Sequence, residues 1–129
     1  MTIDPLRPPA QAEAYVNVLG VDGAIAFLLA FGGTEIYLAR NPQARSRVAA
    51  LVGRDKAEAL AVACEGLPRR VPLCKPWIAR VMRHRGVGTE NPLPVAEIAR
   101  RLHASDVSVR KWLKHGPDRR SDDRQLPLF

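Results

Sequence analysis

A chain of 129 residues with 47% apolar side chains can bury the core of one compact domain or two very small ones, and it does not have the composition of a disordered polypeptide. With aromatics at 5%, that core has to be built from Ala, Val, Leu and Ile, which suits small packed helices. No eighteen consecutive residues are apolar, and MTIDPLRPPAQAEA lacks the features of a secretory leader, so the sequence reads as cytoplasmic, with no membrane partner. Two cysteines are too few for a disulfide framework. Cys64, Cys74 and His84 lack the close spacing of a metal site, so reduced thiols and no cofactor are expected. The net charge of +7 is uneven: residues 1–68 hold six basic and seven acidic side chains, whereas residues 69–129 hold fourteen and six. A neutral front and a basic back suggest an assembly part followed by a part that meets a polyanion.

Residues 1–10 contain three prolines and read as a flexible arm. Residues 11–19 place Ala12, Tyr15, Val16 and Leu19 on one helical face, up to Gly20. Asp22 can cap a second helix over 23–31, apolar nearly all round and ended by Gly32-Gly33. Residues 34–39 carry β-branched and aromatic side chains in alternation, the pattern of a short strand. Two helices are expected over 44–52 and 54–64, interrupted at Gly53, then an extended piece over 71–74. Pro76 opens a helix over 77–85, with Trp77, Ile78, Val81 and Met82 on one face. The expected fold is therefore mainly α with one or two short β-strands. A helical assembly region over 11–75 precedes a C-terminal helix-turn-helix region over 76–116, and residues 117–129 form a flexible tail.

The front half contains a weak internal repeat. LGVDGAIAFLLAFGG followed by IYLAR resembles VGRDKAEALAVACEG followed by VPLCK. Gly20, Asp22, Ala24 and Gly33 align with Gly53, Asp55, Ala57 and Gly66, and the strand pieces align after a two-residue insertion. The alternatives are chance similarity among Ala- and Leu-rich helices, or two strands that pair about a pseudo-two-fold, within one chain or between two.

VAEIARRLHASDVSVRKWLKH, residues 95–115, has the pattern of a helix-turn-helix. Ile98, Ala99 and Leu102 supply the packing face of the first helix, with Ala99 small enough for a close crossing. His103 occupies the turn, where a left-handed backbone is needed and glycine is common. Ser105 can cap the second helix, and Val109, Trp112 and Leu113 pack it back. The exposed face then carries Ser105, Val107, Ser108, Arg110, Lys111 and Lys114. Arg110 suits a guanine edge, because a guanidinium can pair bidentately in the major groove. Ser105, Ser108, Lys111 and Lys114 suit phosphates, and Arg100 and Arg101 suit the flanking backbone. The expected partner is double-stranded DNA. The competing reading is a plain two-helix hairpin, and RNA lacks the surface aromatics for base stacking.

These two blocks, AFGGTEIYLAR and the 95–115 segment, resemble the Mor/C family of transcription activators of Mu-like bacteriophages. The resemblance implies a homodimer whose strand motif would include Gly32, Gly33, Ile36 and Tyr37, with Arg110 and Lys111 on the recognition helix. It also implies promoter binding and recruitment of RNA polymerase. The sequence departs from the family where Leu38 is followed by Ala39-Arg40 instead of Pro-Lys, and where the second repeat copy lengthens the chain before VPLCK.

The chain ends in Gln125, Leu126, Pro127, Leu128 and Phe129. This resembles the peptide by which bacterial replication and repair proteins dock on the DNA polymerase sliding clamp. Leu126, Leu128 and Phe129 would enter an apolar pocket and Gln125 would contact its edge. The alternative is that these side chains fold back on the protein. Two functions are therefore expected: a homodimeric phage-type transcription regulator, or a replication-associated accessory protein tethered to the clamp. No phosphate loop, catalytic triad or carboxylate cluster suggests an enzyme.

Overall fold

The computed structural model describes residues 6–36, 38, 47–88 and 90–114. They contain six α-helices: α1 (Glu13–Phe31), α2 (Arg47–Val52), α3 (Arg54–Ala63), α4 (Lys75–His84), α5 (Val95–Leu102) and α6 (Asp106–Lys114). The chain divides into two compact units, Ala10–Cys74 and a second made of Met1–Pro9 with Lys75–Phe129.

In the first unit a short 3-10 turn, Ala10–Ala12, leads into α1, which is sharply bent. Gly20 has φ 76° and ψ 172°, a region open essentially to glycine alone, and it turns the chain between two helical pieces. The consequence is visible in the core. Tyr15 and Phe27 would be about 18 Å apart along a continuous helix, yet their rings stack at 5.2 Å, and Phe31 adds a tilted contact to Phe27 at 5.0 Å. The bend frees carbonyls at the end of the first piece, and Lys56 Nζ donates to one of them, Val18 O, at 3.1 Å. By length and hydropathy alone, the 22 residues Ala10–Phe31 would suit a membrane crossing. The stretch is not a continuous apolar run, because Gln11, Glu13, Asn17 and Asp22 interrupt it. Gly20 divides this stretch into two helical pieces.

Helices α2 and α3 meet at Gly53, which has φ 91° and ψ 157°, the same backbone region as Gly20. Gly33 and Gly66 also share a positive φ, at 83° and 86°. Ala24 and Ala57 are both fully buried, and α1 packs on α3. The aligned glycines and alanines of the repeat thus have matching backbone and burial.

No strand forms among the described residues, which corrects the expectation of short β-strands. The two segments instead meet in one antiparallel bridge, Glu35 with Arg70. Ile36 N–H donates to Arg69 O at 3.2 Å and Val71 N–H to Thr34 O at 2.8 Å. Under the repeat alignment Glu35 is the equivalent of Arg70, and these two hydrogen bonds are each other's equivalents, so the pairing is a local two-fold within one chain. The reason it stops there is chemical. The Thr34 N–H, which a longer ladder would aim at Val71 O, donates instead to Phe31 O at 3.0 Å, and Gly33 N–H takes Val71 O at 2.8 Å. The extended piece expected over 71–74 accordingly pairs two residues earlier, and Cys74 has φ 52°. Gly32 is required by close approach: a Cβ there would lie 2.4 Å from Leu28 O.

In the second unit α4, α5 and α6 pack against one another. Their core is Trp77, Ile78, Val81, Met82, Ile98, Leu102 and Val109. Leu6, in the segment expected to be a loose arm, accepts a hydrogen bond from Trp77 Nε1 at 2.9 Å. The α4–α5 connection is tied back by Leu93 N–H to Met82 O at 2.9 Å. It turns at Gly86, where a Cβ would lie 2.4 Å from Glu90 O.

Candidate nucleic-acid interface

The second unit carries most of the positive charge. Residues 75–114 hold nine basic and three acidic side chains, against seven and six in residues 10–74. Helix α6 presents three basic side chains, Arg110, Lys111 and Lys114, on its exposed side, and the connection between α5 and α6 sets the direction of that face.

Helix α5 ends at His103, which takes the left-handed conformation at φ 53° and ψ 49°. Ala104 N–H reaches back to Ala99 O at 3.0 Å and His103 N–H to Arg100 O at 3.4 Å. This is the paired-bond ending that helices commonly complete with glycine. Ser105 follows as the cap of α6: its Oγ accepts the Ser108 N–H at 3.0 Å, and the two hydroxyls are 3.1 Å apart. Both serines are therefore engaged in holding the start of α6. Ile98, Leu102 and Val109 are buried, so the pair is locked through its apolar faces.

At about 100° per residue, burying Val109 leaves Val107, Arg110, Lys111 and Lys114 on the opposite side. All four are exposed. Arg110 Nη1 donates to Asp106 Oδ2 at 3.0 Å, one turn earlier, with 64% of the arginine side chain still accessible. Among the described residues neither Lys111 nor Lys114 has a carboxylate partner.

The arginines of α5 are placed differently. Arg100 pairs with Glu97 through Nε at 3.2 Å and through Nη2. Arg101 is held from two sides, by Glu97 at 2.9 Å and by both oxygens of Glu90 at 2.8 and 2.7 Å. Arg100 and then Arg101 hold the Glu97 carboxyl below its usual range. Phosphates would have to compete with these carboxylates. Arg101, with 33% of its side chain accessible, ties the α4–α5 connection to α5. The Glu97 pairings are legible as three- and four-residue spacings. The Glu90 contact, eleven residues from Arg101, is not. Nor does sequence reasoning assign a binding role to Val107 or identify Asp106 as the partner of Arg110.

The strand-motif residues lie in the first unit. Gly33 N–H donates to Val71 O at 2.8 Å and Ile36 N–H to Arg69 O at 3.2 Å, so this edge is used within the chain. Gly32 closes α1. Tyr37 lies outside the described residues, as do the tail residues Gln125, Leu126, Leu128 and Phe129. Among the described residues no three His, Cys, Asp or Glu side chains gather as a metal site would require. In comparisons with known proteins, the chain matches no family model, no curated protein and no solved structure.

Proposed function

We propose that α5 and α6 act as a helix-turn-helix, that α6 enters the major groove of double-stranded DNA, and that the protein is a sequence-specific transcription regulator. The observation that carries the reading is the outward face of α6. It groups Arg110, Lys111 and Lys114 behind a serine-capped N-terminus, which is the end that recognition helices bring to base edges. Arg110 addresses a guanine, with Asp106 orienting its guanidinium, while Lys111 and Lys114 meet phosphates. Arg100 contacts backbone from its exposed position, whereas Arg101 positions α5.

A single small module buries roughly 600–1,000 Å² on DNA, so a long operator calls for two heads. The resemblance to the Mor/C activators supports a homodimer that recruits RNA polymerase at a promoter. The Gly33–Ile36 edge is already paired with Arg69–Val71 in the same chain, so a second chain would dock elsewhere. The terminal Gln125-Leu126-Pro127-Leu128-Phe129 supports a second reading, in which the protein is tethered to the replication clamp. Deleting residues 125–129 would then abolish clamp binding and leave DNA binding intact.

The test is selection of preferred duplexes from a random pool by the full chain, followed by affinity against salt. The reading predicts a defined consensus and a log–log slope of about −0.9 for each phosphate contacted. Lys111→Gln and Lys114→Gln should each shallow that slope by about 1 and weaken all sequences alike. A pool that emerges without consensus, bound no better than a random duplex, would overturn it.

A further inference from the structure

We infer that Val107 is a specificity-determining residue that reads the 5-methyl group of a pyrimidine beside the guanine addressed by Arg110. This inference rests on the DNA-binding reading above. Val107 is 71% exposed, the most exposed of the large apolar side chains among the described residues. It lies near the middle of the outward face of α6, with Arg110, Lys111 and Lys114 following at three, four and seven residues. It does not serve the core, since the packing face of α6 is built from Val109, with Trp112 and Leu113 half-buried on the same side. It does not serve the cap, which the hydroxyl of Ser105 completes. A β-branched side chain at an exposed helical position also carries a small cost in helix propensity.

The chemistry that matches is specific. In the major groove the one apolar feature of a base edge is the methyl group at pyrimidine C5, and small aliphatic side chains contact it. A lone valine surrounded by cations cannot form an apolar patch large enough for a protein partner, but it can cover one methyl group. Side chains three residues apart on a helix are roughly 5–6 Å apart at Cβ. Successive bases rise about 3.4 Å along a strand. The methyl group therefore belongs to a base within about two steps of the guanine. Thymine and 5-methylcytosine present the same group, and the measurement separates them.

With the full chain and its selected duplex, each thymine near the Arg110-dependent guanine is replaced singly by deoxyuridine, and each cytosine by 5-methylcytosine. Affinities are compared for the native protein, Val107→Ser and Val107→Ala, the last of which preserves helix propensity. One deoxyuridine should weaken the native protein about fourfold, the effect of withdrawing one methyl-sized group from apolar contact. Val107→Ser should be indifferent to that change. If instead a 5-methylcytosine strengthens binding by the same factor, and Val107→Ser abolishes the gain, the methylated base is the ligand. Specific, Arg110-dependent binding without a methyl-sensitive pyrimidine within two steps would overturn the inference and leave the DNA-binding reading standing. So would methyl sensitivity that survives Val107→Ser. A chain that selects no sequence at all would overturn both.

Discussion

Asp106 and Arg110 face each other across one turn of α6, with the carboxylate oxygen 3.0 Å from Nη1. The pair is solvent-exposed, so it adds little to stability, but it limits where the guanidinium can point. Arg110→Ala should cost about 1–3 kcal/mol against the preferred base pair and make that position indifferent. Asp106→Ala should blur the same position while retaining overall affinity. Competition among single-base-pair variants of the selected duplex measures both, and discrimination unchanged in Arg110→Ala would remove that residue from base reading.

His103 adopts a left-handed backbone that costs a residue with a Cβ about 1–2 kcal/mol. Glycine relieves that cost and returns part of it through a freer unfolded chain. His103→Gly should therefore raise the stability of the second unit by up to about 1 kcal/mol, measured by urea unfolding. A loss would mean that the imidazole makes a contact worth more than the strain.

Gly20 and Gly53 share one backbone region, and a Cβ at either would meet nothing within 4 Å. Substitution is thus penalised by conformation alone, at about 1–3 kcal/mol. Gly20→Ala and Gly53→Ala should destabilise the first unit by similar amounts in thermal unfolding. A clear inequality would argue against the local two-fold that relates them.

Tyr15 is buried against Phe27, and burial, followed by the Cys64 thiol, raises its phenol to about 12 from the ordinary 10.0. The unfolded chain releases this proton near 10 while the folded chain retains it. The stabilisation is therefore complete below pH 10 and is lost as pH rises towards 12. In Tyr37→Phe, which leaves Tyr15 as the single tyrosine, tyrosinate absorbance should appear near 12 and coincide with unfolding. Titration near 10 in a folded chain would contradict the burial.

What the sequence disclosed depended on how local the signal was. The turn between α5 and α6 is legible because Ala99, His103, Ser105 and Ser108 state its hydrogen bonds within ten residues. The repeated glycines are legible because only glycine takes their conformation. The pattern TEIYLA points to a strand because local propensity favours one, but a strand needs a partner, and among the described residues the segment meets Arg69–Val71 in a single bridge. The stack of Tyr15 on Phe27 depends on the angle at Gly20, which composition does not encode. The Glu90–Arg101 and Leu6–Trp77 contacts close long loops and leave no periodic trace.

Whether the outward face of α6 meets DNA is read directly by backbone amide NMR of the full chain titrated with its selected duplex. The largest shift changes are expected from Ser105 to Lys114, with the amides of Gly33, Ile36 and Val71 unmoved. Changes concentrated in the first unit, with α6 silent, would contradict this role of α6.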